Sequence, residues 1–372
     1  MNKMIVSNLV HRPLRSAISI IAIALEVTLI LLIVGLSIGM LNDTAQRQKG
    51  VGADIMVTSP GSSFITGISG SPAPIKIADV LRKVAHVTDV APVAMQINTH
   101  GNVEIIYGID LNPKSPNDFD KMGAPFHYLS GGPFKAPDDM LVDDVVASQK
   151  NIHVGDTQEL FNHKFRVSGI VMSGKGARKY LPLATFQDLT GSNGKVSVFY
   201  VKVDKSKNID GVAKAIQAIP GMENYGVRTL AEYMSMMTAQ NLPGFSKFID
   251  VVIGVSLIIG FIVIFQSMYT AVMERTREIG ILKSLGASKL YIINVILRET
   301  LALAVCGIVV GILFSLSALA AIRHMVPLLT VMMTPGWMLR AAMIAIVGAI
   351  LGALYPAFKA AQKDPIDALA YE

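Results

Sequence analysis

Four stretches of this chain are apolar almost without interruption, and one long stretch between the first and the second is not. The apolar runs cover about Ala17–Met40, Phe248–Met273, Leu290–Ile322 and Met338–Phe358. Each is at least as long as the roughly 20 residues a helix needs to cross a ~30 Å hydrocarbon layer, so each is read as a spanning helix. The first run is too long for the apolar core of a leader peptide and no small-residue cleavage pattern follows it, so it is read as a retained anchor. Residues 41–246 have a different texture. VEIIYGID, FRVSGIVM and VSVFYVKV are rich in β-branched and aromatic residues and read as strands. IKIADVLRKVAHV has a helical apolar stripe, and IDGVAKAIQAI is a second helix ended by Pro220-Gly221. TSPGSSFITGISGSPAPI is rich in Gly, Ser and Pro and reads as a mobile loop. Mixed elements over this length predict an α+β domain. The expected fold class is an α-helical membrane protein of four spans with an α+β domain inserted between spans one and two. The expected divisions are an N-terminal segment 1–16, span one 17–40, the inserted domain 41–246 and a membrane region 247–372.

Composition agrees with a membrane class: 52% of residues are hydrophobic and 16% charged. The formal net charge of +6 matters less than its distribution. Lys3, Arg12 and Arg15 precede span one; Arg275, Arg277, Lys283 and Lys289 lie between spans two and three; Lys359 and Lys363 follow span four. Basic residues stay on the cytoplasmic side. This predicts a multi-pass membrane protein with both termini inside and the inserted domain outside. Trp337 falls where an interfacial aromatic belongs. The inserted domain is nearly balanced in charge, which argues against nucleic acid as a partner. The single cysteine, Cys306, excludes an intramolecular disulfide.

Charges inside the apolar runs need partners. Glu26 lies about ten residues into span one, roughly 15 Å from its cytoplasmic end at 1.5 Å per residue. An unmatched carboxylate there costs about 3 kcal/mol. Arg298 and Glu299 lie at similar depth in span three, which predicts a Glu26–Arg298 pair, within one chain or between two copies. That pair is either static or a switch linked to span motion. Gly307 with Gly311, and Gly348 with Gly352, form G-x-x-x-G spacings that let helices approach closely, within the subunit or between copies.

The segment MERTREIGILKSLGAS, Met273–Ser288, is short, charged and amphipathic between two spans. On a helix, Ile279, Leu282 and Leu285 or Gly286 fall close together, while Glu274, Arg277 and Glu278 form another side. Gly286 suits a helix C-terminus, and Ser288 suits the N-cap of the next helix. By pattern the segment is either an interfacial helix resting on lipid or a docking element for another protein.

At these residues the chain resembles FtsX-like permeases, the MacB/LolC-type subunits of ABC transporters. The family pattern E-R-x-x-E-I-G-x-x-[KR]-[AS]-[LI]-G-A-[ST] is met by Glu274, Arg275, Glu278, Ile279, Gly280, Lys283, Ser284, Leu285, Gly286, Ala287 and Ser288. The tail PAFKAAQKDPIDALAYE is similar to the family's C-terminus, with Ala370 where Arg is common. ADIMV at Ala53–Val57, and the region around Val154, Gly155, Asp156 and Thr157, resemble MacB-like extracytoplasmic domains. The resemblance implies that the helix between spans two and three contacts a separate ATPase dimer, that two permease chains pair, and that ATP-driven motion is transmitted to the outside. In that picture Glu274, Arg275, Arg277, Glu278, Ile279, Leu282, Lys283 and Gly286 form the coupling helix. Arg275 and Arg277 fix orientation, while Ile279 and Leu282 anchor it. A membrane fusion protein is a further implied partner. The resemblance further implies a bacterial inner-membrane location and a lipophilic substrate taken from the membrane or its outer side. A non-transporting regulator like FtsX itself, or a lipoprotein-release subunit, is the alternative.

No catalytic or cofactor pattern competes with this reading. GSNGKVS at Gly191 and SGKGARK at Ser173 lack the glycine spacing and the Ser/Thr of a P-loop, so ATP hydrolysis is expected elsewhere. His86, His100, His127, His153 and His163 show no metal-ligand spacing. Met234, Met236, Met237, Met325, Met332, Met333 and Met338 read as flexible apolar filler rather than a soft-metal route. No cofactor and no metal are expected.

Overall fold

The computed structural model describes residues 13–62, 71–98, 104–238, 240–242, 244–326 and 328–363. Lys3, Arg12, His100, the middle of the Gly/Ser/Pro-rich loop and the C-terminal match from Asp364 onward, Ala370 included, lie outside the described residues. Among the described residues, four helices are long and apolar enough to cross a membrane: α1 (Pro13–Gly50), α7 (Phe245–Glu274), α9 (Lys289–Met325) and α10 (Pro335–Gln362). In hydrocarbon a helix satisfies its own backbone, so uninterrupted apolar sequence settles into this form. Two compact units result. One comprises Met1–Met40, Pro243–Met325 and Leu329–Glu372; the other comprises Leu41–Leu242 and Val326–Leu328.

The helical unit is packed through small residues. The buried face of α10 carries Ala341, Ala345, Gly348, Gly352, Ala353 and Ala357, a small-residue stripe that admits close neighbours. Gly352 lies against the Phe261 carbonyl of α7, where an added methyl group would stand 2.8 Å away. Gly307 and Gly311 of α9 receive Ile23, Ala24 and Val27 of α1. Thr28 Oγ1 donates to the Gly311 carbonyl at 3.2 Å, so a polar group of α1 is satisfied across the same contact. Both G-x-x-x-G pairs thus pack inside the subunit.

The second unit is α+β. Its main sheet runs β12-β1-β11-β3-β4-β9-β6-β8-β5, with β7 also on β8. In chain order the strands are β1 (Ile55–Thr58), β2 (Ala73–Pro74), β3 (Val87–Asn98), β4 (Glu104–Ile109), β5 (Tyr128–Gly131) and β6 (Asp139–Asp143). They continue as β7 (Thr157–Leu160), β8 (His163–Val171), β9 (Lys179–Pro182), β10 (Lys195–Val196), β11 (Val198–Val203) and β12 (Gly226–Thr229). β2 and β10 pair separately. The helices are α2 (Ile77–Arg82), α3 (Asp144–Lys150), α4 (Leu183–Thr190), α5 (Ile209–Gln217) and α6 (Leu230–Met236). The three expected strands are β4, β8 and β11, and the second expected helix is α5. The first expected helix is cut short: α2 stops at Arg82, His86 takes a left-handed φ of 70°, and Val87 pairs with Val203 in the sheet.

α1 continues ten residues past its apolar run, and those turns are built into the second unit. The Gln48 amide donates to the Tyr107 hydroxyl at 2.9 Å, and the Tyr200 hydroxyl donates to Gln48 Oε1 at 2.6 Å. Arg178 bridges Asp43 and Asp143. Arg47 and Gly176 exchange hydrogen bonds, the Gly176 amide to the Arg47 carbonyl at 2.8 Å and Arg47 Nη1 to the Gly176 carbonyl at 3.2 Å. Gly50 sits so close to the Gly174 carbonyl that any side chain would collide with it.

The neighbouring Lys175 is buried, 4.4 Å above the Phe126 ring and 3.7 Å from Asp120. Burial pulls its ammonium down to about 8, against the pull of Asp120. Its folded value lies below its ordinary 10.5, so between those values the unfolded chain holds more protons and stability rises with pH. Thermal unfolding of the purified chain and of Lys175→Met should show the wild type gaining relative to the variant as pH rises from about 8 toward 10.5. A constant difference would mean that Lys175 is solvated.

Candidate functional site

The charged segment folds as α8 (Thr276–Ser284) between α7 and α9. Its limits follow from local chemistry. Arg275 leaves the helical region, with φ −106° and ψ 18°, and ends α7. Thr276 Oγ1 donates to the Val272 and Met273 carbonyls at 3.2 and 2.9 Å, filling the break. At the other end Gly286 adopts φ 92°, a conformation that costs glycine little. The Gly286 amide bonds the Lys283 carbonyl and the Ala287 amide the Leu282 carbonyl, both at 3.0 Å, which is a Schellman closure. Ser288 Oγ then accepts from the Tyr291 amide at 3.2 Å and caps α9.

α8 is braced at both ends within the helical unit. Arg275 Nη1 contacts both carboxylate oxygens of Glu299 on α9, at 3.0 and 3.3 Å, with both side chains largely buried. Lys283 Nζ donates to the Ala361 carbonyl at 3.1 Å and to the Lys363 carbonyl, at the end of α10. Between these ties, Thr276 and Gly280 are buried, and Ile279 packs on Val272, Ile292, Ala360 and Ala361. An apolar groove opens between α7, α8 and α9, bordered by Met268, Leu282, Tyr291, Val295 and Ile296, with Arg275 and Glu299 on its polar side. The opposite face is open: Arg277, Ile281, Ser284 and Leu285 are exposed, Leu285 at 80%, as are Glu274 and Gly286 at the two ends and Glu278 on the rim of the groove.

The structure redistributes several roles expected from sequence. Arg275 is turned inward to Glu299 instead of outward as an orienting charge. Ile279 faces the bundle and Leu282 is half-buried, so the apolar residues offered outward are Ile281 and Leu285. The expected Glu26–Arg298 contact is not formed within the chain. Successive helical residues point about 100° apart, and on α9 it is Glu299 that turns inward while Arg298 is exposed. Glu26 instead lies against Gly260 of α7, near Gly348 of α10. Sequence reasoning also missed the Arg275–Glu299 pair; its signal was a base just past the end of span two and an acid about nine residues inside span three.

Comparison with known proteins gives a consistent pattern. The MacB-like periplasmic core domain matches residues 16–219, and the FtsX-like permease C-terminal region matches residues 251–365. An uncharacterised ABC transporter permease of Methanocaldococcus jannaschii is 29% identical over 237 residues, 60% of this chain and 59% of that protein. The macrolide export ATP-binding/permease protein MacB of Bdellovibrio bacteriovorus is 23% identical over 405 residues, 98% of this chain and 60% of that protein. The chain therefore spans about three fifths of the length of these curated relatives. The periplasmic region of MacB from Actinobacillus actinomycetemcomitans superposes with a TM-score of 0.38 at 15% identity, covering 51% of this chain and 94% of that one.

Removing one partner of a buried ion pair strands the other and costs about 3–5 kcal/mol. Arg275→Ala and Glu299→Ala should each lower the melting temperature of the purified chain, and the exchange Arg275→Glu with Glu299→Arg should recover most of the loss. If the exchanged protein is no more stable than the single variants, the pair does not hold α8.

Proposed function

The chain belongs to the family of the MacB-like periplasmic core domain, and on that premise we propose that it is the permease subunit of an ABC transporter that exports a lipophilic substrate. ATP is hydrolysed outside these 372 residues, by a separate ATPase. Two copies of the chain pair in the membrane, the termini and α8 face the cytoplasm, and the α+β unit lies outside. A membrane fusion protein completes the pathway beyond it.

The observation that carries this reading is the construction of α8. It is a capped helix with both ends tied to spans and one mixed charged and apolar face left open. A helix merely resting on lipid has no need of a buried ion pair at its root. A helix that receives a push does, because a loose joint would absorb the displacement. Exposed Arg277 and Glu278 suit the charged rim of a docking surface, and Leu285 suits its apolar centre. Motion of the spans then passes along α1, whose last turns belong to the outer domain. The substrate is taken from the membrane or its outer side, and the domain works as a moving part rather than as a channel wall.

The test is purification from native membranes with identification of bound proteins. A P-loop ATPase should accompany the wild-type chain. It should be lost from Arg277→Glu and Leu285→Glu, which alter exposed positions and leave the melting temperature unchanged. Absence of any ATPase, or retention by both variants, would refute the assignment. Recovery of a cell-wall hydrolase in place of a fusion protein would point to regulation instead of export.

A further inference from the structure

Among the described residues, the bundle contains one buried carboxyl group that the coupling account does not use. Glu26 is 6% exposed, and its Oε1 makes no hydrogen bond. The group fits because Gly260 has no side chain: a methyl there would stand 2.6 Å from Glu26 Cδ and 2.9 Å from Oε1. On the other side, Oε1 lies 3.8 Å from where a methyl on Gly348 would be, and Leu257 Cδ1 is 3.1 Å from the same point. Two glycines on two helices therefore form a notch that the carboxyl itself fills. Ser256, one turn before Gly260 on the same stripe of α7, is also buried with an unmatched hydroxyl.

Among the described residues, no charge on the four long helices stands near enough to match an ionised Glu26. Along α7 there is no titratable side chain between Asp250 and Tyr269, and Asp250 is about 15 Å from Gly260 along the helix. Along α10 there is none between Arg340 and Tyr355. On α9, whose Gly307 and Gly311 pack on the same helix, only Cys306 lies between Glu299 and Arg323. On α1 itself, Glu26 is alone between Arg15 and Asp43. Burying a charge without a partner is far more costly than burying its neutral form.

We propose that Glu26 is a proton-binding site of the helix bundle. The carboxyl is a neutral acid while α1 is packed on α7 and α10. When those helices part and water enters, it releases the proton, and repacking takes the proton back. Helix separation at this level is thereby linked to proton exchange, whatever the cargo and whatever drives the motion.

Infrared difference spectroscopy of the full chain in lipid vesicles, wild type against Glu26→Gln, tests this. The wild type should show the carbonyl stretch of a protonated carboxyl that the variant lacks, and raising the pH should convert it reversibly to the carboxylate bands. Glu26→Gln, a shape-matched neutral side chain, should keep the wild-type melting temperature and lose its dependence on pH in that range. The proposal fails if no protonated-carboxyl band separates the two proteins at any pH. It also fails if the Gln variant loses stability, as it would if Glu26 were an ionised partner of a cation on a second copy.

Discussion

A charge placed in an apolar bundle must find its opposite, and in this protein that requirement sets the position of α8. Arg275 is the residue at which α7 stops being helical, and its guanidinium reaches the Glu299 carboxylate at 3.0 Å. The break, the turn of α8 away from α7, and the register of α9 beside them are one arrangement. If any of the three moves alone, an ionised group is left in an apolar setting. The second tie, Lys283 on the terminal carbonyls of α10, uses groups that every helix end leaves without an internal partner. Together they make a short helix rigid, although nine residues could not stay helical alone in water.

The same economy appears in the inserted domain. α1 could have ended with its apolar run. Its next turns instead carry Asp43, Arg47 and Gln48, each with a partner in the domain. Gln48 is the most constrained of these, since its amide must serve Tyr107 and Tyr200 at once, and all three side chains are buried. Such a junction has two properties useful to a moving part. It is polar, so its geometry is directional, and both ends of the buried Gln48 amide are matched, so that group has no cheap alternative.

Legibility from sequence followed how local each determinant is. The spans were readable because twenty or more apolar residues in succession carry their own meaning. The closing turn of α8 was readable because Gly286 and Ser288 act within a few residues of themselves. The end of α1 was not, because the partners of Gln48 lie 59 and 152 residues away. Which of two adjacent charges on α9 faces inward was equally hidden. Arg298 and Glu299 are equivalent on paper, and only the path of α7 selects the acid. The facing of Ile279 and Leu282 was misjudged for a related reason. A nine-residue helix with apolar residues at spacings of three has a stripe that winds around it, so pattern alone cannot say which part meets the bundle.

The central claim is that α8 moves as one body with the spans it is tied to. Pulsed electron-spin distance measurement on the ATPase-bound complex, with labels at exposed Ser284 and at Gln362, tests it directly. The account predicts one narrow distance distribution, unchanged between nucleotide-free and nucleotide-bound states, that broadens when Arg275 is replaced by Ala. A wild-type distribution that shifts with nucleotide would mean that α8 swings as an independent lever, and the braced-joint account would be wrong.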